Sequence, residues 1–349
     1  MSDREQQGLR GPVKTCVEES TRDAFVADDG THFPELNSTY TKEFNEEGRH
    51  VVTRMRSSGG PEWVSRTVYD SSGKFLKHEW GNIGEPTIES VYTYDNQGRL
   101  LKVTNSAKLD NPVTFQYDES GRKTKLQASR PEDYRPNSAH AGSPFEVADL
   151  PPNLDGGGSA TTFYDDQDRP TEIHVRDAQG EFVSRIIRTY DKDGRVSEEH
   201  SMWEQPEKNF PASVLAEVLK AGVPMEEFRR QMMEMMGGHS GPSSIAYTYD
   251  TQGRVTQIRR RIVNDEQITE ITYNEHGDKA VEITRRVSVR NQDGQAQRQG
   301  LPSYSEVRYT CEYDDRGNWT QETVSYRSSP DEAFTSSSGR RRQLTYWKV

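Results

Sequence analysis

The sequence repeats itself, and the repeated unit dictates what the chain can fold into. Tyr-Asp-x-x-Gly-Arg occurs at Tyr94-Asp95-Asn96-Gln97-Gly98-Arg99, Tyr117-Asp118-Glu119-Ser120-Gly121-Arg122, Tyr190-Asp191-Lys192-Asp193-Gly194-Arg195 and Tyr249-Asp250-Thr251-Gln252-Gly253-Arg254. Tyr69-Asp70-Ser71-Ser72-Gly73-Lys74 differs only in its last residue. Weaker copies begin at Phe44, Tyr164, Tyr273 and Tyr313. The nine starts lie 25, 25, 23, 47, 26, 59, 24 and 40 residues apart. The short intervals define a unit of about 24 residues. The long ones hold insertions, or in the 47-residue case a decayed copy.

Each unit reads as two strands and two turns. The Asp accepts hydrogen bonds from backbone N–H groups ahead of it. The Gly supplies the positive φ that closes a short hairpin with a bulge. Before the turn the residues alternate, as in Val91-Tyr92-Thr93-Tyr94 and Ala246-Tyr247-Thr248-Tyr249. That period of two is the strand signature. At the far ends, Ser57-Ser58-Gly59-Gly60-Pro61, Gly81-Asn82-Ile83-Gly84, Asp177-Ala178-Gln179-Gly180 and Asn264-Asp265 carry turn chemistry. Nine units therefore predict roughly 18–20 strands in one antiparallel meander, with the leading aromatics stacked as a ladder across strands.

Composition tests this reading. Leu, Ile, Val and Phe make up only 17% of the 349 residues, below the roughly 20% associated with disorder. Disorder also needs a high net charge, and −11 over this length is small. The alternative is a thin, well-paired sheet with a shallow or partly hollow interior. The acidic balance argues against general nucleic-acid binding, which requires a cationic surface. No apolar run is long enough for a membrane-spanning helix. Two cysteines, Cys16 and Cys311, make no disulfide framework and no metal-ligand spacing. They read as two separate thiols, with a bridge left open. The N-terminal residues show no secretory signal, so the protein is either cytoplasmic or written with its leader removed.

The repeated residues, over roughly 40–325, resemble those of the RHS/YD-repeat family. The resemblance implies an all-β chain. Large members look like hollow shells around a C-terminal toxin domain and carry an Asp-Pro self-cleavage motif. This sequence contains no Asp-Pro, and it ends in the strand-like Gln343-Leu344-Thr345-Tyr346-Trp347, so the toxin-delivery role is not implied. The match is to short stand-alone bacterial members, which implies export to the envelope or cell surface. Among the departures from the pattern, four fall in the later weak copies: Asp168 replaces the turn Gly, Asn274 the Asp, and Asp278 and Asn318 the Arg. Looser or differently built turns are expected there.

One YD-repeat domain over 1–349 is expected, with three insertions. Residues 128–160 form a Pro/Gly-rich loop, either a tolerated excursion or a binding lid. Residues 203–243 read as a helical hairpin, with Met225, Phe228, Met232 and Met236 at helical spacing. That adaptable face packs on the protein's own sheet or on a partner. Residues 288–303 read as a polar hairpin loop.

No constellation reads as catalytic. The eight His residues are scattered, and Asp191-Lys192-Asp193-Gly194 lacks the rest of a calcium loop. No metal and no cofactor are expected. Arg259-Arg260-Arg261 and Arg285-Arg286 occupy similar offsets in successive units and, with Arg340-Arg341-Arg342, lie on three late strands. They form either a basic strip for an acidic polysaccharide or other anion, or cross-strand pairs with Glu266, Glu270, Glu282 and Glu306. The expected fold is an antiparallel meander curled into a barrel or open shell, in which the helical hairpin or the Pro/Gly loop plugs or caps a closed barrel. The expected function is non-enzymatic: binding of a protein or polysaccharide, or enclosure of another polypeptide. An enzyme with a site inside the sheet ranks last. The oligomeric state is left open.

Overall fold

The computed structural model describes residues 2–22, 25–26, 32–33, 35–106, 108–128, 157–203, 220–222, 224, 243–262, 265–288 and 304–348. After a one-turn helix α1 (Asp3–Gln6), the elements among the described residues are strands: β1 (Val13–Arg22), β2 (Phe25–Val26), β3 (His32–Phe33), β4 (Leu36–Phe44), β5 (His50–Ser57), β6 (Trp63–Tyr69), β7 (Phe75–Asn82), β8 (Ile88–Tyr94), β9 (Leu100–Asn105), β10 (Lys108–Tyr117) and β11 (Lys123–Ala128). It continues with β12 (Gly158–Tyr164), β13 (Pro170–Arg176), β14 (Phe182–Tyr190), β15 (Val196–Trp203), β16 (Ser243–Tyr249), β17 (Val255–Ile262), β18 (Asp265–Tyr273), β19 (Lys279–Ser288), β20 (Tyr304–Tyr313), β21 (Trp319–Arg327) and β22 (Thr335–Tyr346). Among the described residues the short β2 and β3 pair only with each other.

The other twenty strands form one closed antiparallel sheet. From β4 to β22 each strand pairs with its successor in sequence, and β1 lies between β22 and β4. The meander is thus a barrel, within the strand number expected from the repeat. Its closure follows from parity. The run from β4 to β22 is an odd number of alternating strands, so its first and last members point the same way and cannot pair antiparallel. Inserting β1 makes the number even and lets every junction be antiparallel.

The repeat turns are built as their residues dictate. In each of the nine copies the N–H of the Asp or Asn position donates to the carbonyl four residues on, at 2.8–3.0 Å. Asp95 Oδ1 accepts from the N–H groups of Gln97 and Arg99, and the same pair of bonds recurs at Asp250. The register slips by one residue at the leading aromatic, as between Thr93 and Tyr94, which is the expected bulge.

The four departures do not loosen the turns. Asn274 Oδ1 accepts from His276 and Asp278 as an aspartate would, because Asn offers the same oxygen. Asp168 takes the left-handed conformation itself, at φ 60°. The far-end turn at Asp177 uses the same bonds, with Gln179 and Glu181 donating to its carboxylate.

Burial is sparse, and cross-strand register places most of it on one face. A row runs Phe115–Leu126–Ala160–Val175–Ser184 across five strands, all buried. Val103, Val113 and Ile173 complete that cluster. The same face carries buried Ser65, Thr67, Ser90 and Asn105, where Ser65 Oγ meets His78 Nε2 at 2.8 Å. A second cluster, Leu9, Val13, Cys16 and Phe44, sits where β1 enters. We call this the packed face and its opposite the open face. The shallow interior expected from the composition is realised as these two patches. Of the three insertions, residues 129–156, most of 204–242 and 289–303 lie outside the described residues. Met225, Phe228, Met232 and Met236, and with them the expected helical pair and plug, lie outside as well.

Candidate functional site at the barrel rim and seam

The spacing of the repeat places one chemical device at five of the nine repeat turns along one rim. Arg99, held by its own turn, donates Nε to Asp95 Oδ2 at 2.7 Å. Its guanidinium lies 4.9 Å from the ring of Tyr117, the leading tyrosine of the next unit. Tyr117 Oη in turn donates to the carbonyl of Leu100, just after that arginine, at 2.8 Å. The same triangle joins Asp165, Arg169 and Tyr190, and then Asp191, Arg195 and Tyr249. Asp250, Arg254 and Tyr273 repeat it once more. The tyrosines therefore do not stack on one another as expected. A cation lies between successive rings, and each unit is locked to the next through guanidinium, ring and backbone.

This device sets the local acidities. The Arg99 N–H and guanidinium hold the Asp95 carboxyl below its ordinary range. The Arg122 side chain does the same for Asp118, and Arg169 for Asp165. Burial pushes the ladder tyrosines Tyr117, Tyr190 and Tyr249 up.

At the seam the device is rebuilt from distant residues. Asn318 and Asp278 stand where the turn arginine belongs, so neither can clamp an aspartate. The cation against the Tyr346 ring is Arg316, from within the Asp314 turn, 4.2 Å from the ring centre. The two turns are tied to each other by Arg10, from the segment before β1. Its backbone N–H donates to Asn318 Oδ1 at 2.6 Å, and its carbonyl accepts from Asn318 Nδ2 at 3.0 Å. Its guanidinium donates to the carbonyls of Gly317 and His276. Gly317 suits this contact: its φ is +77°, and a Cβ there would lie 2.6 Å from the Arg10 guanidinium, which would have to move. Tyr346 Oη donates to Asp314 and accepts from Asn318 Nδ2 at 3.0 Å. Those two groups replace the usual carbonyl, and Tyr346 is pushed up to about 12, by burial first and then by Asp314. Tyr313 is held in the same way by Asn274 and Asp278, with His276 stacked 3.8 Å away.

The segment docks at its other end too. Asp3 Oδ2 accepts from the His50 N–H at 2.8 Å and from Tyr69 Oη at 3.1 Å, and the Arg4 N–H donates to the Gly48 carbonyl. On the packed face of β1, Glu18 accepts from Arg342 Nε at 2.9 Å and from Arg340 Nη1 at 3.4 Å. Arg340 also holds Glu322, and Arg342 lies 3.5 Å from the centre of the Trp319 ring. Nothing in the sequence marks Arg10 or Glu18, since both precede the first repeat. The signal available was indirect: the repeat breaks pattern where they bind.

The two rows of arginine do not form a single strip. Alternation along the strands splits them. Arg259 and Arg285 share the open face, flanking Ile268, while Arg260 and Arg286 share the packed face, flanking Gln267. On the open face, Glu266 takes Arg261 at 2.8 Å and Arg259 at 3.8 Å, and Glu270 takes Arg285 at 2.5 Å. The ion-pair alternative is therefore met for these three. On the same face Glu306, 3% exposed, accepts from Tyr304, Arg308 and Arg327. Its carboxyl is pushed down to about 2: burial opposes the shift, and the Tyr304 and arginine hydrogen bonds overcome it.

Among the described residues no three His, Cys, Asp or Glu side chains converge to hold a metal ion. Cys16 and Cys311 are free thiols. The depressions in the described surface are shallow. One lies on β16–β19, lined by Gln257, Glu270, Thr272 and Ile283, and another lies around Gly339. No described helix is long and apolar enough to cross a membrane.

No family model matches this sequence, and no curated protein is similar to it. Three solved structures show a similar course of chain. A TcdB2-TccC3-Cdc42 crystal structure is 12% identical, over 92% of this chain and 16% of that one, with a TM-score of 0.40. The Photorhabdus luminescens Tc holotoxin pore with a TccC3 variant is 12% identical, over 90% of this chain and 15% of that one, with a TM-score of 0.35. A porin-like protein from Bacteroides uniformis is 11% identical, over 96% of this chain and 99% of that one, with a TM-score of 0.34. The chain thus spans only about a sixth of the two toxin chains it matches.

Proposed function

We infer that this chain is a non-enzymatic shell: a closed, water-filled β barrel of the YD-repeat type that encloses a segment of another polypeptide. One observation carries the reading, the closure of a twenty-stranded ring whose two faces both carry ion pairs. A ring of this size is too wide for its own side chains to fill. A barrel in a lipid bilayer presents a continuous apolar band outward. Here the open face carries Lys77 between Glu79 and Glu89, Arg261 with Glu266, and Glu306 with Arg327. The packed face carries Arg188 with Glu199, and Glu18 with Arg342. Water on both sides accounts for this. Closure also favours enclosure over an open tyrosine-lined binding surface. The packed face is assigned to the lumen, because side chains converge on the concave side of a cylinder. Export to the bacterial envelope or surface belongs to the same proposal and rests on the family resemblance.

The test uses single cysteines in a Cys16→Ser, Cys311→Ser background. Thr284→Cys lies on the packed face and Thr310→Cys on the open face. A small maleimide should label both, while a maleimide coupled to a folded carrier protein should label only Thr310→Cys. A photo-crosslinker at 284, in producing cells, should trap a polypeptide that the same probe at 310 does not. Equal labelling of both sites by the carrier would show an open sheet and end the shell reading.

A further inference from the structure

The ring of strands is continuous in sequence everywhere except at β1. β1 pairs over nine positions with β22 and over eight with β4, strands at the two ends of the meander. Without it these edges would face each other in parallel, in a register no other part of the barrel uses. The β22 edge carries groups that recognise one particular sequence. β22 offers Arg340 and Arg342, which meet Glu18. The rim beside it offers Asn318 and the carbonyls of Gly317 and His276, which meet Arg10. Asn318 is 1% exposed, and both its amide atoms are used on the Arg10 backbone, as an antiparallel strand would use them. The Trp347 N–H donates to the Pro12 carbonyl, and Lys14 lies 4.6 Å from the centre of the Trp347 ring. The two copies of the repeat that end in neither arginine nor lysine are the copies that receive Arg10. The rim is therefore incomplete until this segment arrives.

We propose that the space between β22 and β4 is a peptide-binding site. It takes one extended strand, read through the arginine at position 10 and the glutamate at position 18. Residues 2–22 occupy it as a latch that can leave and be replaced without rebuilding the rest of the barrel. Strand addition supplies the affinity through the backbone, and the two charged contacts supply the selection. The proposal stands whether or not the lumen holds a cargo.

The test uses the full chain with a protease site placed within residues 27–31, cut after folding. The cut protein should remain one particle, held by the pairing of β1. A fluorescent peptide of residues 2–22 in excess should then exchange into it. A peptide carrying Arg10→Ala and Glu18→Arg should enter about tenfold less well or worse, the usual size of losing one partner of a desolvated charge-assisted contact. An Arg342→Glu barrel should regain preference for a Glu18→Arg peptide. Equal entry of the normal and altered peptides would reduce the site to an unselective sheet edge. Failure of every peptide to exchange, even in urea just short of unfolding, would make β1 a fixed strand. Either result overturns the proposal.

Discussion

The regular rim and the seam solve one problem with different residues. Between Tyr94 and Tyr273 each turn arginine is held by its own aspartate and lies against the next unit's tyrosine, so all partners come from adjoining units. At the seam the turns at Asn274 and Asp314 keep the same backbone bonds but lack the arginine. Arg10 and Asn318, 308 residues apart, complete the rim there. The comparison teaches that the turn and the clamp are separable. The turn needs only an acceptor oxygen and a left-handed position. The ring's cation can shift within the turn, as Arg316 does against Tyr346, and the tie between turns can come from elsewhere in the chain, as Arg10 does. Local clamps let each hairpin form with its neighbour, whereas the seam forms only when both ends of the chain have met. In a structure of this kind, the seam is expected to open first.

The sharpest way to break the comparison is Asn318→Ala. The change strands the Arg10 N–H and carbonyl and one partner of Tyr346 in a buried place. The expected loss is about 3 kcal/mol, since each buried group left unpaired costs roughly 1–3 kcal/mol. The matched change on the regular rim, Tyr190→Phe, removes one hydrogen bond to the Pro170 carbonyl, and about 1 kcal/mol is expected. Urea unfolding of both variants measures the difference. Arg10→Ala should add little to Asn318→Ala, because the two share one contact, and should add fully to Tyr190→Phe. Equal losses at the two sites would mean that the seam is no more demanding than any other hairpin.

The two regions should also part company in alkali. Tyr346 is raised to about 12 from an ordinary value of about 10. A phenol whose folded value is raised contributes its full stabilisation below about pH 10 and loses it as pH rises through 12. The turn aspartates behave oppositely. Asp95, Asp118 and Asp165 are lowered, so their contribution is full above the ordinary carboxylate value of about 4. It fades as pH falls through their folded values, and Glu306 follows at about 2. Ultraviolet titration of the tyrosines should show a component near 12 that Tyr346→Phe removes. The same variant should flatten the alkaline limb of stability and move the acid limb only through Asp314, which loses the Tyr346 hydrogen bond that helps hold it down. A larger shift of the acid limb would tie the seam to the turn carboxylates of the regular rim as well.

Much of this was legible, for physical reasons. Period-two alternation and an Asp four residues before an Arg fix a hairpin locally, so the hairpins and the strand number followed from the unit. Closure was not legible, because the strand that closes the ring belongs to no repeat. Arg10 sits in Gly8-Leu9-Arg10-Gly11-Pro12, which carries no motif. The four departures read as weak turns, and the structure keeps their turn bonds. Asn274, Asp278 and Asn318 are better read as places where another part of the chain docks, a signal that can be sought in any repeat array. The arginine rows failed as a strip for a reason that was visible: neighbours along a strand point to opposite faces. The turn at Asp177 escaped notice as a member of the repeat because Arg176 stands where the tyrosine does elsewhere.

Asp168 is the remaining departure, and it separates turn from clamp most finely. It holds φ 60° without being glycine and also pairs with Arg122 at 3.0 Å across to the preceding unit. Asp168→Gly removes both features. An L-residue in the left-handed region costs about 1–2 kcal/mol, less for Asp, and glycine gives back part of that relief through its greater freedom when unfolded. The ion pair is exposed at Asp168, and exposed pairs contribute from nothing to about 1 kcal/mol. Arg122 keeps its own clamp, Asp118, at 2.7 Å, and its ring partner Tyr164. Relief of strain should therefore win by a few tenths of a kcal/mol, within the usual range for backbone-compatible glycine changes. A small rise in the urea midpoint with an unchanged slope is the expected reading. A fall would show that the contact between units, rather than the turn, is what Asp168 was placed for, and would extend the logic of the seam into the regular rim.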